Sequence, residues 1–174
     1  MLMIGSRIPD LEVEALMPDG RFEKLDTNDL CGRWTVLFFY PLDFTFVFPT
    51  EIRAYDNFAP QFEKANALLL GASVDSVHTH RAWVRDGLGE VSFPLIGDVN
   101  RKLAQAFDVL LEEEGVAARA TFIIDPEGRV ASASVNALNV GRSANETLRL
   151  IQAFQAGGLT SCEWQPGEPL LRPE

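Results

Sequence analysis

The segment at 38–51 places a helix N-terminus directly after a buried strand, a position suited to reactive or anionic groups. The apolar run WTVLFF at 34–39 is typical of a central strand covered on both faces. Pro41 cannot donate to a strand ladder, and Pro49 suits the first position of a helix. Free N–H groups and the helix dipole favour a negative charge at such a terminus. Phe48, which supplies neither a charge nor a nucleophile, occupies that place.

The helix that follows is amphipathic and is expected to run from Pro49 to about residue 66. Its apolar residues recur at helical spacing, at Ile52, Tyr55, Phe58, Phe62 and Ala65. Before the central strand, two short strands at 11–15 and 21–24 are expected to form a hairpin around Met17-Pro18-Asp19-Gly20. A short turn or helix is expected at 26–30.

The rest of the chain alternates strands with helices. Further strands are expected at 67–74, 93–96, 120–125 and 129–135, and helices at 76–86 and 101–107. Asp125-Pro126-Glu127-Gly128 suits a type I turn, and Ser143-Ala144-Asn145-Glu146 is a capping box that begins a final helix. This order predicts the α/β class, with a mixed central sheet and helices on both faces.

Composition narrows the class of protein. A chain of 174 residues, 47% hydrophobic and 23% charged, suits one soluble globular domain. We expect that domain at 1–158, with a polar tail at 159–174. The formal net charge of −10 argues against nucleic acid or an anionic membrane as a partner. No apolar stretch reaches the roughly 20 residues of a membrane-spanning helix, and no signal-peptide pattern begins the chain, so a cytoplasmic location is expected.

The two cysteines and two histidines show no metal-ligand pattern. Cys31 and Cys162 lie far apart and do not form the disulfide framework typical of secreted domains. His78 and His80 have no Cys or carboxylate at a ligand spacing, and we interpret them as helix-surface or structural residues. Neither a metal nor another cofactor is expected.

The segment around Phe48 closely resembles the active-site segment of peroxiredoxins, the thiol-dependent hydroperoxide reductases. The motif of that family is Pro, three residues, Thr, two residues and Cys, and Pro41, Thr45 and Phe48 occupy its fixed positions. Further similarity covers nearly the whole chain, at 73–76, 79–83, 87–89, 116–125 and 139–143. The resemblance, which is to the typical two-cysteine or alkyl hydroperoxide reductase-like group, implies a thioredoxin-like fold with an extra N-terminal β-hairpin.

The resemblance also implies roles for the charged residues. Phe48 stands where the family has its peroxidatic cysteine. Arg119 would donate to the peroxide oxygens, because a planar guanidinium suits two adjacent acceptors, and Arg142 would be a second arginine near the site. Glu51 would hold an arginine in place. These residues would stabilise a leaving alkoxide after a thiolate attacks the peroxide.

Three uncharged residues complete the implied site. Thr45 would donate to the substrate or the thiolate, and Pro41 would keep a backbone donor and water out of the pocket. Cys162 resembles the C-terminal resolving cysteine, although its spacing to the following Trp164 is shorter than the commonest family pattern. Through a sulfenic acid intermediate, such a site reduces hydrogen peroxide and alkyl hydroperoxides.

Phe48 removes the nucleophile on which this chemistry depends, so the chain as written is predicted to be inactive as a peroxidase. Either an introduced substitution or a natural loss of the cysteine would give this sequence. A benzyl ring would also overpack a pocket shaped for a thiol, at about 1–3 kcal/mol. We therefore predict that the first helical turn, at 47–51, is displaced or unwound.

Two functions from different classes follow. The first is a thioredoxin-dependent peroxiredoxin by ancestry, with a hydroperoxide as substrate and a thioredoxin-type reductant. The second is a non-enzymatic, chaperone-like or scaffolding homologue that keeps the assembly of the family. For either, the resemblance implies a homodimer or a ring of dimers.

Overall fold

The computed structural model describes residues 2–45 and 48–172, and of Phe48 it describes the backbone only. The strands are β1 Glu12–Leu16, β2 Phe22–Asp26, β3 Trp34–Phe39, β4 Ala67–Ser73, β5 Leu95–Gly97, β6 Leu110–Leu111, β7 Val116–Ala117, β8 Arg119–Ile124 and β9 Val130–Asn136. The helices are α1 Phe48–Lys64, α2 Val77–Trp83, α3 Lys102–Ala106 and α4 Ala144–Gln155. A 3₁₀ turn at Thr27–Leu30 precedes β3, and a π-helical turn at Val84–Leu88 continues α2.

Seven strands form one mixed sheet in the order β2-β1-β5-β4-β3-β8-β9. Its central strand, β3, runs parallel to β4 and antiparallel to β8, so Val36 lies opposite both Leu69 and Ile123. β1 and β2 form the expected hairpin at one edge, closed where the Gly20 N–H donates to the Met17 carbonyl at 2.9 Å. β6 and β7 form a separate two-stranded sheet.

Helices cover both faces of the sheet, and β3 supplies residues to both cores. Val36 and Phe38 pack with Tyr55 of α1 and Leu148 of α4 on one face, in the core that also holds Trp83 of α2. Leu37 and Phe39 point the other way, into a core that contains Phe107 and residues of α3. Successive side chains of a strand point to opposite faces of the sheet, and both faces of β3 are buried. Both sets of side chains must therefore be apolar, which explains the continuous apolar run.

Several predicted elements are confirmed. The central strand has the predicted bounds, Trp34–Phe39, and the mixed sheet with helices on both faces is present. The Ser143 hydroxyl accepts from the Glu146 N–H at 3.1 Å and so caps α4 as predicted.

Other expectations were wrong in detail. The strand expected at 93–96 is Leu95–Gly97, because Pro94 has no N–H to donate to a ladder. The helix expected at 76–86 is α2 followed by the π-helical turn. β6 and β7 were not predicted, since two-residue strands carry no periodicity.

The prediction of an unwound first helical turn is also wrong for residues 48–51. α1 is helical from Phe48 onward, one residue earlier than expected. Val47 and the Phe48 side chain lie outside the described residues, so the packing of the benzyl ring stays a prediction. Within the described ranges, no helix has the length and apolar character needed to cross a membrane.

Candidate active site

Glu51 is the centre of the candidate site. It lies in the first turn of α1, and its side chain is 4% exposed. Its Oε2 lies 2.6 Å from Nη1 of Arg119 and 2.9 Å from Nη2 of Arg142. Its Oε1 accepts from the Arg142 backbone N–H at 2.9 Å and from Nε at 3.1 Å. Charge-assisted bonds to two arginines therefore hold this carboxylate, which also benefits from the helix N-terminus.

Arg119 is the first residue of β8, and its side chain is 1% exposed. Its Nε donates to the Leu138 carbonyl at 2.6 Å. Burial lowers the pKa of the Arg119 guanidinium from its usual range; the Glu51 charge opposes this shift, whereas the Arg142 charge adds to it. The guanidinium is thus fixed in the interior by a carboxylate and a backbone carbonyl.

Arg142 precedes the cap of α4 and bridges three parts of the fold. Besides its bonds to Glu51, its Nη1 donates to the Phe39 carbonyl at 2.7 Å and to the Ala120 carbonyl at 2.8 Å. Its Cζ lies 5.5 Å from the centre of the Phe38 ring, within the range of a cation–π contact. The arginine therefore joins the end of β3, the strand β8 and the first turn of α1.

Pro41 and Thr45 belong to the loop between β3 and α1. Pro41, the second residue after β3, is buried, and Thr45 is half-buried. The Thr45 hydroxyl donates to the Leu42 carbonyl at 3.2 Å, which orders this loop internally. Phe46 and Val47, which connect Thr45 to α1, lie outside the described residues. The structure thus places both residues on the segment that leads to Phe48, as the motif requires.

Cys162 lies on the tail after α4 and is exposed, and both Cys31 and Cys162 are free thiols. The tail is held against α4 because Arg149 Nη1 donates to the Trp164 carbonyl at 3.0 Å, and Trp164 is buried. A cavity of about 570 Å³ is lined by α4 and by the tail around Cys162. The thiol is therefore presented at the surface by an ordered segment.

Sequence reasoning missed a buried polar cluster beside the site, formed by Tyr40, Asp43 and His80. His80 is 0% exposed, which agrees with the expectation that it is a structural residue. The alternative expectation, a position on the helix surface, is wrong for His80. A signal was present, because Val77, His80 and Trp83 are spaced by three residues along α2 and are all buried.

The arrangement can stabilise negative charge but cannot by itself attack a substrate. Glu51, Arg119 and Arg142 sum to one excess positive charge at the N-terminus of α1, which favours an anion or a developing oxyanion. Neither the carboxylate, which is held by four hydrogen bonds, nor the guanidiniums are nucleophiles toward a peroxide oxygen. Phe48, at the start of the same helix turn, supplies none.

The sheet order and the helices on both faces define a thioredoxin-like protein, in which two arginines bind the carboxylate in the first turn of α1. Two solved structures share this fold closely. The reduced 2-Cys peroxiredoxin of Plasmodium vivax superimposes with a TM-score of 0.92 at 36% identity, covering 95% of this chain and 91% of that one. The AhpC of Enterococcus faecalis gives 0.88 at 34% identity, covering 99% and 100%.

Sequence comparison identifies the family. The AhpC/TSA family model matches residues 4–133. Peroxiredoxin-1 of Gallus gallus is 46% identical over 180 residues, covering 98% of this chain and 90% of the relative. Peroxiredoxin-1 of Gekko japonicus is 44% identical over 180 residues with the same coverage. The chain therefore belongs to the AhpC/TSA family of peroxiredoxins, whose members are peroxidase oxidoreductases, and the resemblance inferred from the motif is confirmed.

Proposed function

We propose that this chain is a peroxiredoxin whose hydroperoxide reductase chemistry is absent because Phe48 replaces the nucleophile. The supporting observation is the position of Phe48, which begins α1 three residues before the carboxylate that binds both buried arginines. This position supports the proposal, because the residues implied to form the charged part of a peroxide site lie on or contact the helical turn that Phe48 begins.

The chemistry needs an electron pair that phenylalanine does not have. In the reaction, a thiolate sulfur attacks one oxygen of R–O–OH, so an S–O bond forms as the O–O bond breaks. The leaving alkoxide keeps the electron pair of the O–O bond and takes up a proton, and the sulfur becomes a sulfenic acid. Stabilisation of the leaving oxygen cannot replace the first step, because that negative charge develops only once a nucleophile has attacked.

The neighbouring residues would serve a cysteine restored at position 48. Arg119 would stabilise the thiolate and the leaving oxygen, and Arg142 would add positive charge beside it. Glu51 would keep both guanidiniums in place. Thr45 would donate to the substrate or the thiolate, and Pro41 would exclude water from the loop side.

Cys162 would complete the cycle as the resolving thiol. Its sulfur would attack the sulfenic acid, forming a disulfide and releasing water, and a thioredoxin-type dithiol would then return both thiols. We further propose a cytoplasmic homodimer, able to form a ring of dimers, in which the domain at 1–158 carries the site and the tail at 159–174 carries Cys162.

The test is to restore the cysteine. Phe48→Cys is expected to reduce hydrogen peroxide and alkyl hydroperoxides with a thioredoxin-type donor, whereas the unmodified chain is not. Phe48→Ser is the matched control, because it opens the pocket to nearly the same extent without supplying a thiol. Donor oxidation, followed at several peroxide concentrations, reports turnover.

The outcomes separate two functions. The proposal is supported if the Phe48→Cys protein turns over peroxide and neither the Phe48→Ser protein nor the unmodified chain does. Turnover by the unmodified chain contradicts it. If the Phe48→Cys protein remains inert while the unmodified chain suppresses aggregation of a denatured client, the non-enzymatic alternative replaces it.

A further inference from the structure

Asp43 and His80 form an ion-pair contact with no access to solvent. The two side chains are both 0% exposed, and His80 Nδ1 lies 2.7 Å from Asp43 Oδ2. The other carboxylate oxygen, Oδ1, accepts from the Tyr40 hydroxyl at 2.9 Å. The other ring nitrogen, Nε2, lies 3.0 Å from the Ile96 carbonyl. Every polar atom of the two side chains therefore has a defined partner.

These contacts fix the number of protons. A carbonyl oxygen only accepts, so His80 Nε2 must carry hydrogen. The Tyr40 hydroxyl lies nearer to Asp43 Oδ1 than to His80 Nδ1, which is 3.5 Å away. A second proton must therefore lie between Nδ1 and Oδ2, because without it a lone pair would face a carboxylate in a buried site. Burial also raises the pKa of Asp43, although its hydrogen bond to His80 opposes that shift.

The same pair anchors the loop between β3 and α1. The Asp43 N–H donates to Asp75 Oδ2 at 2.8 Å, and the Ser73 hydroxyl donates to the same oxygen at 2.7 Å. The next residue, Phe44, has a φ of +56°, a left-handed conformation that a bulky residue adopts only when its surroundings impose it. Asp43 thus ties the loop to the end of β4, to α2 and, through His80, to β5.

We propose that Asp43 and His80 hold one shared proton and act as positioning residues for the loop that carries Thr45. The charged and titratable groups that face the pair are Tyr40, which follows β3, and Asp75 from the loop after β4; Ile96 of β5 contributes only a carbonyl. The contact between Asp43 and His80 exists whether or not the proposed function is right. Its effect on catalysis, however, rests on the proposed function.

The shared proton can be tested directly, because the chain contains only two histidines. Long-range ¹H–¹⁵N spectra of the ¹⁵N-histidine-labelled, unmodified chain would report the hydrogen-bonding state of both rings at pH 7. We expect His80 Nε2 to carry hydrogen and His80 Nδ1 to have a shift in the protonated or strongly hydrogen-bonded range. A His80 Nδ1 with the shift of a bare nitrogen that has no hydrogen bond overturns the proposal.

A matched pair of substitutions tests the anchoring of the loop. His80→Ala removes the histidine that binds Asp43 Oδ2, so the Asp43 amide is expected to exchange with solvent at least about tenfold faster. His78→Ala truncates a histidine on the same helix outside the pair, and the Asp43 amide is expected to be unaffected. Equal exchange rates in the two variants would contradict the positioning role.

The catalytic consequence has its own readout in the Phe48→Cys background. His80→Ala is expected to slow oxidation of the introduced thiol by peroxide about tenfold, because the Thr45 donor is displaced. Alkylation of the same thiol by iodoacetamide, which does not use that donor, is expected to be unchanged. A parallel loss in both reactions would make His80 a merely structural residue. If the Phe48→Cys protein itself does not react with peroxide, the proposed function is refuted. The histidine spectra would still test whether Asp43 and His80 share a proton.

Discussion

The Glu51 carboxylate lies 2.6 Å from the guanidinium of Arg119, in the first turn of a helix whose first residue is Phe48. Both side chains are almost completely buried, at 4% and 1% exposure. A buried ion pair is costly to desolvate and even costlier to break on one side. The chain therefore keeps an expensive charged site next to a position that has no reactive atom.

Removal of the Glu51 charge should destabilise the protein strongly. Glu51→Gln keeps the side-chain shape but removes the negative charge that binds Arg119 and Arg142 in the interior, so the free energy of unfolding should fall by about 3–5 kcal/mol. Urea denaturation measures it. The control is Glu146→Gln, which breaks the more exposed pair with Arg149 and should cost no more than about 1 kcal/mol. Similar losses in the two variants would mean that the ion pairs of Glu51 with Arg119 and Arg142 contribute little to the free energy of unfolding.

Stability should depend on pH through Asp98. This carboxylate accepts from the Leu103 and Ala104 N–H groups at 3.0 and 2.8 Å, and burial raises its pKa above the usual 3.8, although the backbone bonds oppose the shift. The folded state then binds more protons than the unfolded state between those two pKa values. As pH rises through that window, the protein should lose free energy of unfolding relative to Asp98→Asn.

Thermal or urea denaturation of both proteins, from pH 4 upward, measures the Asp98 effect. The difference in unfolding free energy, variant minus unmodified, should increase with pH. A difference that is constant or falls would show that the pKa of Asp98 is not raised in the folded state.

Gly89 should not tolerate a side chain. Its φ is +79°, and a Cβ at this position would displace the end of the Arg53 side chain, whose guanidinium donates to the Leu88 and Glu90 carbonyls on either side. Gly89→Ala should therefore lower the free energy of unfolding by about 2–3 kcal/mol, through backbone strain and loss of the Arg53 contacts. Gly20→Ala is the control, since its φ is +84° but a Cβ there meets no atom within 4 Å. Denaturation should show a larger loss of unfolding free energy for Gly89→Ala than for Gly20→Ala. The reverse order would contradict a stabilising role for the Arg53 hydrogen bonds.

Much of the fold follows from local pattern. The run at 34–39 is apolar at every position except Thr35 because both faces of β3 are buried, and the hairpin and the α4 cap have turn and capping residues that act locally. The unwinding predicted for the first helical turn was wrong because a steric argument about Phe48 omitted the arginines that fix Glu51, and a displacement of that turn stays a prediction. Local sequence does not show that a residue at 51 meets others at 119 and 142.

The site was predicted only in part for the same reason. The motif indicated Glu51, Arg119 and Arg142 through resemblance, and the structure brings these three together. Asp43 and His80 were missed as a pair because they are 37 residues apart and each is unremarkable alone. Long-range contacts of this kind depend on the sheet order, in which β3, β4 and β5 become neighbours.

The most direct test of the account is the mass of the residue-48 peptide after one equivalent of hydrogen peroxide. In the Phe48→Cys protein, the introduced thiol should take up one oxygen, and a sulfenic-acid reagent present during the reaction should trap the product on this peptide before Cys162 condenses with it. Arg119→Lys in that background should slow this oxidation by at least about tenfold. In the unmodified chain, the same peptide should stay unchanged and the peroxide should persist. Rapid peroxide consumption by the unmodified chain, or an introduced thiol that resists oxidation in a folded Phe48→Cys protein, would contradict the claim that only the nucleophile is missing.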